Sequence, residues 1–177
     1  MAFTIHPKYF NKFIAFTGLL CLIAVAWTTI LYVDNQQDRF EERLGDGSAV
    51  RNLAFPGIAS GDSIRISAYR GSPVILDFWA TWARQSSRAH RKLAELQQEH
   101  PGLVVIAASV KDSDKYVGEY LSDHDYDFIY ADGTQAYQDL LVPGVPTQLV
   151  FDSKGVLQQI FVGFKDENQF DSILNDR

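Results

Sequence analysis

The sequence predicts an α/β protein: a three-layer α/β/α sandwich around a mixed sheet, preceded by one N-terminal transmembrane helix. Three observations carry that reading. Residues 13–33 contain no charged side chain. From residue 52 onward, short apolar runs bounded by Gly and Pro alternate with segments of helical periodicity, the pattern of strands separated by covering helices. Near the C-terminus two strand-like runs flank Asp152-Ser153-Lys154-Gly155, a strong hairpin signal.

The first segment reads as an anchor. As a helix, residues 13–33 span about 31 Å, the thickness of a bilayer's hydrocarbon core. Trp27 and Tyr32 fall toward the far end, where amphipathic rings favour the interface. Lys8 and Lys12 precede the run with no acid, whereas Asp34, Asp38, Glu41, Glu42 and Asp46 follow it against only Arg39 and Arg43. That asymmetry predicts a single-pass protein with residues 1–12 in the cytoplasm and the remainder outside. Ala24-Val25-Ala26 resembles a signal-peptide cleavage site, but the apolar run exceeds the about 7–15 residues of such peptides. A lipoprotein reading through Cys21 fails because bulky Leu20 precedes it. Residues 34–48 are polar and charged and are expected to form a tether, which leaves 49–177 as the globular domain.

Within that domain, Ile64 and Ile66 alternate with polar neighbours, as in a half-buried hairpin strand. Gly71-Ser72-Pro73 makes a turn before residues 74–79, a mostly apolar run suited to a central strand. Residues 86–100 carry Ala89, Leu93 and Leu96 at helical spacing, and Pro101-Gly102 ends that helix. Residues 103–108 read as a second buried strand. Ser113 is placed to cap a helix whose apolar face is Tyr116, Val117, Tyr120 and Leu121. A short strand is expected at 128–130, a short helix at 134–141, a hairpin over 147–151 and 156–162, and a last helix near 166–174.

Charge and sulfur narrow the function. All 22 acids lie beyond residue 33, so from Asp34 onward 14 basic side chains face 22 acidic ones, a net charge of −8. Such a domain repels nucleic acid, and no basic patch with interleaved aromatics offsets that. The single cysteine, Cys21, lies inside the predicted span and leaves the domain without a thiol. Metal binding has no support: His90, His100 and His124 lack ligand spacing, and Asp123, His124, Asp125 and Asp127 read as a solvated loop. Copper would require sulfur ligands, and the sulfurs are Met1 and Cys21 alone. No cofactor is implied.

The segment Arg70-Gly71-Ser72-Pro73-Val74-Ile75-Leu76-Asp77-Phe78-Trp79-Ala80-Thr81-Trp82 resembles the entry to the active site of the thioredoxin superfamily, more narrowly of the membrane-anchored TlpA-type thiol-disulfide oxidoreductases, including those of cytochrome c maturation. The hairpin at 52–67, Gly144-Val145-Pro146-Thr147 as a cis-proline loop, and Asp152-Ser153-Lys154-Gly155 with Gly163 as a closing hairpin extend the resemblance over roughly residues 53–174. One departure stands out: where the family carries Cys-x-x-Cys, this chain has Ala83-Arg84-Gln85-Ser86. The family's chemistry needs a thiolate at the first position to attack a disulfide sulfur. Ala83 supplies no nucleophile, and Ser86 offers a hydroxyl without redox chemistry or an evident histidine to activate it.

What the resemblance implies about the remaining site is therefore reduced. Asp77 matches the buried acid beneath the cysteines and is expected to be a relic held by a local hydrogen bond, because an unpaired buried carboxylate is destabilising. Trp79 is expected in the core and Trp82 at the surface, where tryptophan favours binding hot spots. Pro146 is expected on a cis bond, and Val145 before it pairs its backbone with an extended peptide in the family, a contact that needs no sulfur. Trp82, Ala83, Arg84, Gln85, Val145 and Pro146 thus form a candidate partner-binding groove. Arg84 and Arg88, near a helix start, are either an anion site or solvated side chains.

The function expected from the sequence is a redox-inactive protein-binding subunit, accessory or scaffold, of an integral membrane complex. The alternatives are a thiol-disulfide oxidoreductase whose cysteines were substituted and a periplasmic holdase chaperone.

Overall fold

A computed structural model describes residues 7–58 and 61–164, in two compact units that divide between Arg39 and Phe40. Helix α1 runs over Pro7–Leu44. Its apolar stretch is long enough to cross a membrane, and none of it is buried within the molecule. The threonines of this stretch suit lipid: Thr17, Thr28 and Thr29 donate their hydroxyls to the carbonyls of Phe13, Ala24 and Val25 at 2.8, 3.0 and 2.8 Å, leaving no donor to be solvated.

The tether expected over 34–48 is not what forms. The chain stays helical to Leu44, and Phe40 and Leu44, four residues apart on one face, are buried in the core of the globular unit. A turn at Gly45–Gly47 then leads into α2, Ser48–Arg51, whose start is held by the Asp46 carboxylate accepting the Ser48 N–H at 3.0 Å.

The globular unit follows the expected plan. A small antiparallel pair, β1 (Phe55–Pro56) and β2 (Ser63–Ile64), precedes the main sheet. The expected strand stops at Ile64, and Ile66 instead opens a 3-10 turn, Ile66–Tyr69, that drops its side chain into the core. The main elements are β3 (Val74–Trp79), α3 (Arg84–Glu99), β4 (Val104–Ser109), α4 (Asp114–Asp123), β5 (Ile129–Asp132), α5 (Thr134–Asp139), β6 (Thr147–Phe151) and β7 (Leu157–Val162). The sheet order is β5-β4-β3-β6-β7. β3, β4 and β5 are parallel, and β6 and β7 are antiparallel additions, giving the mixed sheet. The last predicted helix, near 166–174, lies outside the described residues.

β3 is central and buried at every position, which is why its run is almost wholly apolar. Its alternate residues feed two cores. Val74, Leu76 and Phe78 pack with Phe40, Val50, Phe55 and Ala136 of α5. Ile75 and Trp79 pack with Leu93 and Leu96 of α3 and Val117 of α4. Ser113 caps α4 as expected, accepting the Tyr116 N–H at 3.4 Å. Tyr116 itself is exposed rather than on the apolar face, and Lys115 stands over its ring.

Candidate functional site

The site forms where β3 ends and α3 begins. Ala83 is the N-cap of α3, in an extended conformation and with no side-chain cap, so the first N–H groups of the helix stay open. Ala83 is half-buried and Ser86 fully buried. The Ser86 Oγ accepts the Ala80 N–H at 3.3 Å, which ties the helix to the end of β3. Ser86 is therefore a structural tie and not a hydroxyl facing the groove. Trp82, in the loop that this tie closes, is 64% exposed, whereas Trp79 is buried, both as expected.

A second clamp, which sequence reasoning missed, sets the loop before Trp82. Thr81 donates its backbone N–H and its hydroxyl to the two carboxylate oxygens of Asp112, at 2.6 and 2.7 Å. Asp112 sits three residues beyond β4, at the same end of the sheet.

Opposite stands the turn that enters β6. The Val145–Pro146 bond is cis, as expected. α5 ends in a closure normally built on glycine: the Leu141 N–H donates to the Gln138 carbonyl and the Val142 N–H to that of Tyr137, both at 3.1 Å. Leu141 takes the left-handed position, at φ 53°, and is 60% exposed. Leucine there costs about 1–2 kcal/mol relative to glycine. Val145 is half-buried and Pro146 buried, so Pro146 shapes the turn rather than lining the groove. Pro146 accepts the Gly163 N–H at 2.8 Å. A Cβ built on Gly163 would stand 3.9 Å from Gln85 Oε1, which brings the α3 start beside the cis-proline turn. Among the described residues, neither the N–H nor the C=O of Val145 is hydrogen-bonded. Arg84, Gln85 and Arg88 are exposed.

Beneath this surface lies a buried polar chain. Asp77 accepts the Gln148 amide on Oδ1 at 2.7 Å and pairs on Oδ2 with His90 Nε2 at 3.0 Å, and His90 Nδ1 meets the Tyr120 hydroxyl at 2.8 Å. The expected local hydrogen bond is in fact long-range: Gln148 faces Asp77 across the β3–β6 register, and His90 reaches it from α3. A carboxylate oxygen accepts, so a hydrogen bond from His90 Nε2 to Asp77 Oδ2 requires the hydrogen on Nε2. In the neutral ring Nδ1 accepts from Tyr120, and in the protonated ring it donates. Either way both nitrogens are occupied. His90 is close to Ser86 in the helix but serves neither as its general base nor as a metal ligand. Among the described residues, no three His, Cys, Asp or Glu side chains converge as a ligand set.

Aromatic rings enclose the chain. Trp79 and Phe128 lie 4.6 and 5.3 Å from the His90 ring, and Tyr120 and Tyr130 lie 4.6 and 6.1 Å from Trp79. Burial, then Tyr126, then the other charges nearby, Asp77 among them, raise the ionisation of the Tyr120 and Tyr130 phenols well above the ordinary range, and burial raises Tyr137. Their stabilising effect is fully present below about pH 10, the unfolded value, and is lost as the pH rises beyond it, because the unfolded chain ionises first. An alkaline titration followed by phenolate absorbance is expected to show three of the eight tyrosines ionising late, together with unfolding. Eight superimposable titrations near pH 10 would contradict this packing.

Comparison with known proteins places this geometry. A family model described as thioredoxin-like matches residues 71–157. The thioredoxin-like protein YneN of Bacillus subtilis is 29% identical over 121 residues, covering 66% of this chain and 71% of YneN. The thiol-disulfide oxidoreductase ResA of Oceanobacillus iheyensis is 26% identical over 177 residues, covering 97% of this chain and 92% of ResA. Among solved structures, a Chlorobium tepidum protein assigned as the thiol:disulfide interchange protein DsbE superposes with a TM-score of 0.62 at 25% identity, over 69% of this chain and 89% of that one. This chain thus carries a thioredoxin-like domain, homologous to the ResA/DsbE/TlpA-type thiol-disulfide oxidoreductases, with Ala83-Arg84-Gln85-Ser86 where the resemblance places Cys-x-x-Cys.

Proposed function

We propose that the domain retains the polypeptide-docking half of its family's activity without the electron-transferring half, and serves as a membrane-anchored binding subunit of a membrane complex. The observation that carries this reading is the placement of exposed Trp82 just past the end of β3 and of an unbonded Val145 backbone, at a cis-proline turn, just before its partner strand β6. An extended chain can add to Val145 by β-augmentation and bury Trp82, and neither contact involves sulfur. Disulfide exchange needs a thiolate within reach, and the one cysteine lies in the apolar helix. In this reading residues 13–33 hold the protein in the inner membrane with the domain on the periplasmic side, following the charge asymmetry around the helix.

The reading is tested by purifying the full chain in detergent with whatever associates. One stoichiometric membrane partner supports a scaffold, and many weak clients support a chaperone. Trp82→Ala is expected to weaken the association about 30-fold, the equivalent of a 2 kcal/mol hot spot. Association unchanged by Trp82→Ala and by Val145→Pro, which deletes the docking N–H, would remove the groove from the account.

A second reading is supported by homology to proteins named as oxidoreductases: a thiol-disulfide oxidoreductase whose active-site cysteines have been substituted. Insulin reduction by A83C/S86C and not by the parent chain, with no stoichiometric partner recovered with either, would favour it.

A further inference from the structure

We propose that the solvent face of α3 makes the groove selective for an acidic extended polypeptide, read by Arg84, Arg88 and Arg91. This rests on the docking reading above and specifies its partner. α3 turns Ser86, Ala89, His90, Leu93 and Leu96 inward. The three arginines, at positions i, i+4 and i+7, all lie exposed on one strip of the opposite face. Among the described residues none of the three has an acidic partner, whereas Lys92 pairs with Glu95 and Lys115 with Glu119. No acid occupies the first turn of α3, so its positive end adds to the strip.

The charge stands against its background. From Asp34 onward the chain carries a net −8, yet it keeps a cationic strip that begins two residues from exposed Trp82 and meets its first acid only at Glu95, which pairs with Lys92. All three side chains are arginine, whose planar fork binds a carboxylate in two hydrogen bonds. Along the helix the strip measures about 10 Å, the length of about three residues of extended chain. It therefore matches two or three carboxylates within about four residues, flanking the segment that pairs with Val145. An anionic lipid surface fits less well, because a charged plane faces the net negative domain as a whole, whereas a short peptide can meet the strip alone.

The test uses the full chain in neutral-lipid nanodiscs and two labelled ten-residue peptides with the same apolar centre, one flanked by three glutamates and one by three glutamines, measured by fluorescence anisotropy. The glutamate peptide is expected to bind about tenfold more tightly, with the advantage fading at high salt. R84Q/R88Q/R91Q is expected to erase that advantage, bringing the two peptides to equal affinity, and R84E/R88E/R91E to transfer it to a lysine-flanked peptide. Trp82→Ala is expected to weaken both peptides equally. Equal binding of the two peptides, with both still weakened by Trp82→Ala, overturns the acidic preference while the groove stands. Binding of neither peptide overturns the groove and the preference together. Arginine-dependent binding to phosphatidylglycerol vesicles, with no preference between the peptides, assigns the strip to lipid and overturns the proposal.

Discussion

The double substitution A83C/S86C is expected to convert this chain into a dithiol-disulfide exchanger, taking insulin reduction from background to a clear dithiothreitol-driven turnover. Everything but the sulfur is in place. Position 83 caps α3 with its first N–H groups open and no acid in the first turn, so a thiolate there is favoured. An ordinary thiol is about 3% ionised at neutral pH, and one at a helix start with a pKa near 7 is about half ionised, which predicts alkylation about tenfold faster than for an exposed control cysteine. Position 86 is buried and three residues on. Helix geometry puts Cα atoms so spaced about 5 Å apart, inside the about 4.4–6.8 Å that a disulfide bridges between Cα atoms. The thiol at 83 attacks a substrate disulfide, the thiol at 86 resolves the mixed disulfide, and two electrons pass to the substrate with the protons going to its leaving thiolates. Ser86→Cys alone is expected to resist alkylation, because the side chain is enclosed and tied to the Ala80 N–H. Equal reactivity at the two positions, or no disulfide in the oxidised double variant, would contradict the placement of the helix start.

That expectation depends on features legible in the sequence to different degrees. The strands were readable because β3, β4 and β6 are buried at nearly every position, and full burial leaves continuous apolar runs. The cis turn and the exposed Trp82 followed from the resemblance around Val145-Pro146 and Trp79-Ala80-Thr81-Trp82. The tether was misjudged because charge dominates residues 34–48. The spacing of Phe40 and Leu44, four apart, was the available signal of a buried helical face. His90 was also visible in part, since it falls between Ala89 and Leu93 on the buried stripe of α3. Gln148 was not. Its bond to Asp77 depends on the β3–β6 register, which no local pattern encodes, and Asp112 reaches Thr81 only through the placement of two strand ends.

His90 and Asp77 carry the largest expected stability effect in the domain. Both are fully buried, and each satisfies the other. His90→Leu takes the partner from Asp77 Oδ2 and one of the partners from the Tyr120 hydroxyl in an aromatic enclosure, and breaking a buried pair on one side costs about 3–5 kcal/mol. Asp77→Leu is expected to cost at least as much, since it removes the acceptor that both the Gln148 amide and His90 Nε2 face. The two losses are not independent. Once either group is gone, removing the other takes away a liability rather than a bond, so the double variant is expected to be less destabilised than the sum of the singles by about 2 kcal/mol or more. Urea unfolding of the full chain in detergent reads all three, with Trp79, 4.6 Å from the His90 ring, as the fluorescent reporter. Additive losses, or a His90→Leu variant as stable as the parent, would mean that the pair contributes no coupling. A coupled loss would show that this polar chain, far from being a remnant of absent thiol chemistry, fastens α3 to β3 beneath the groove.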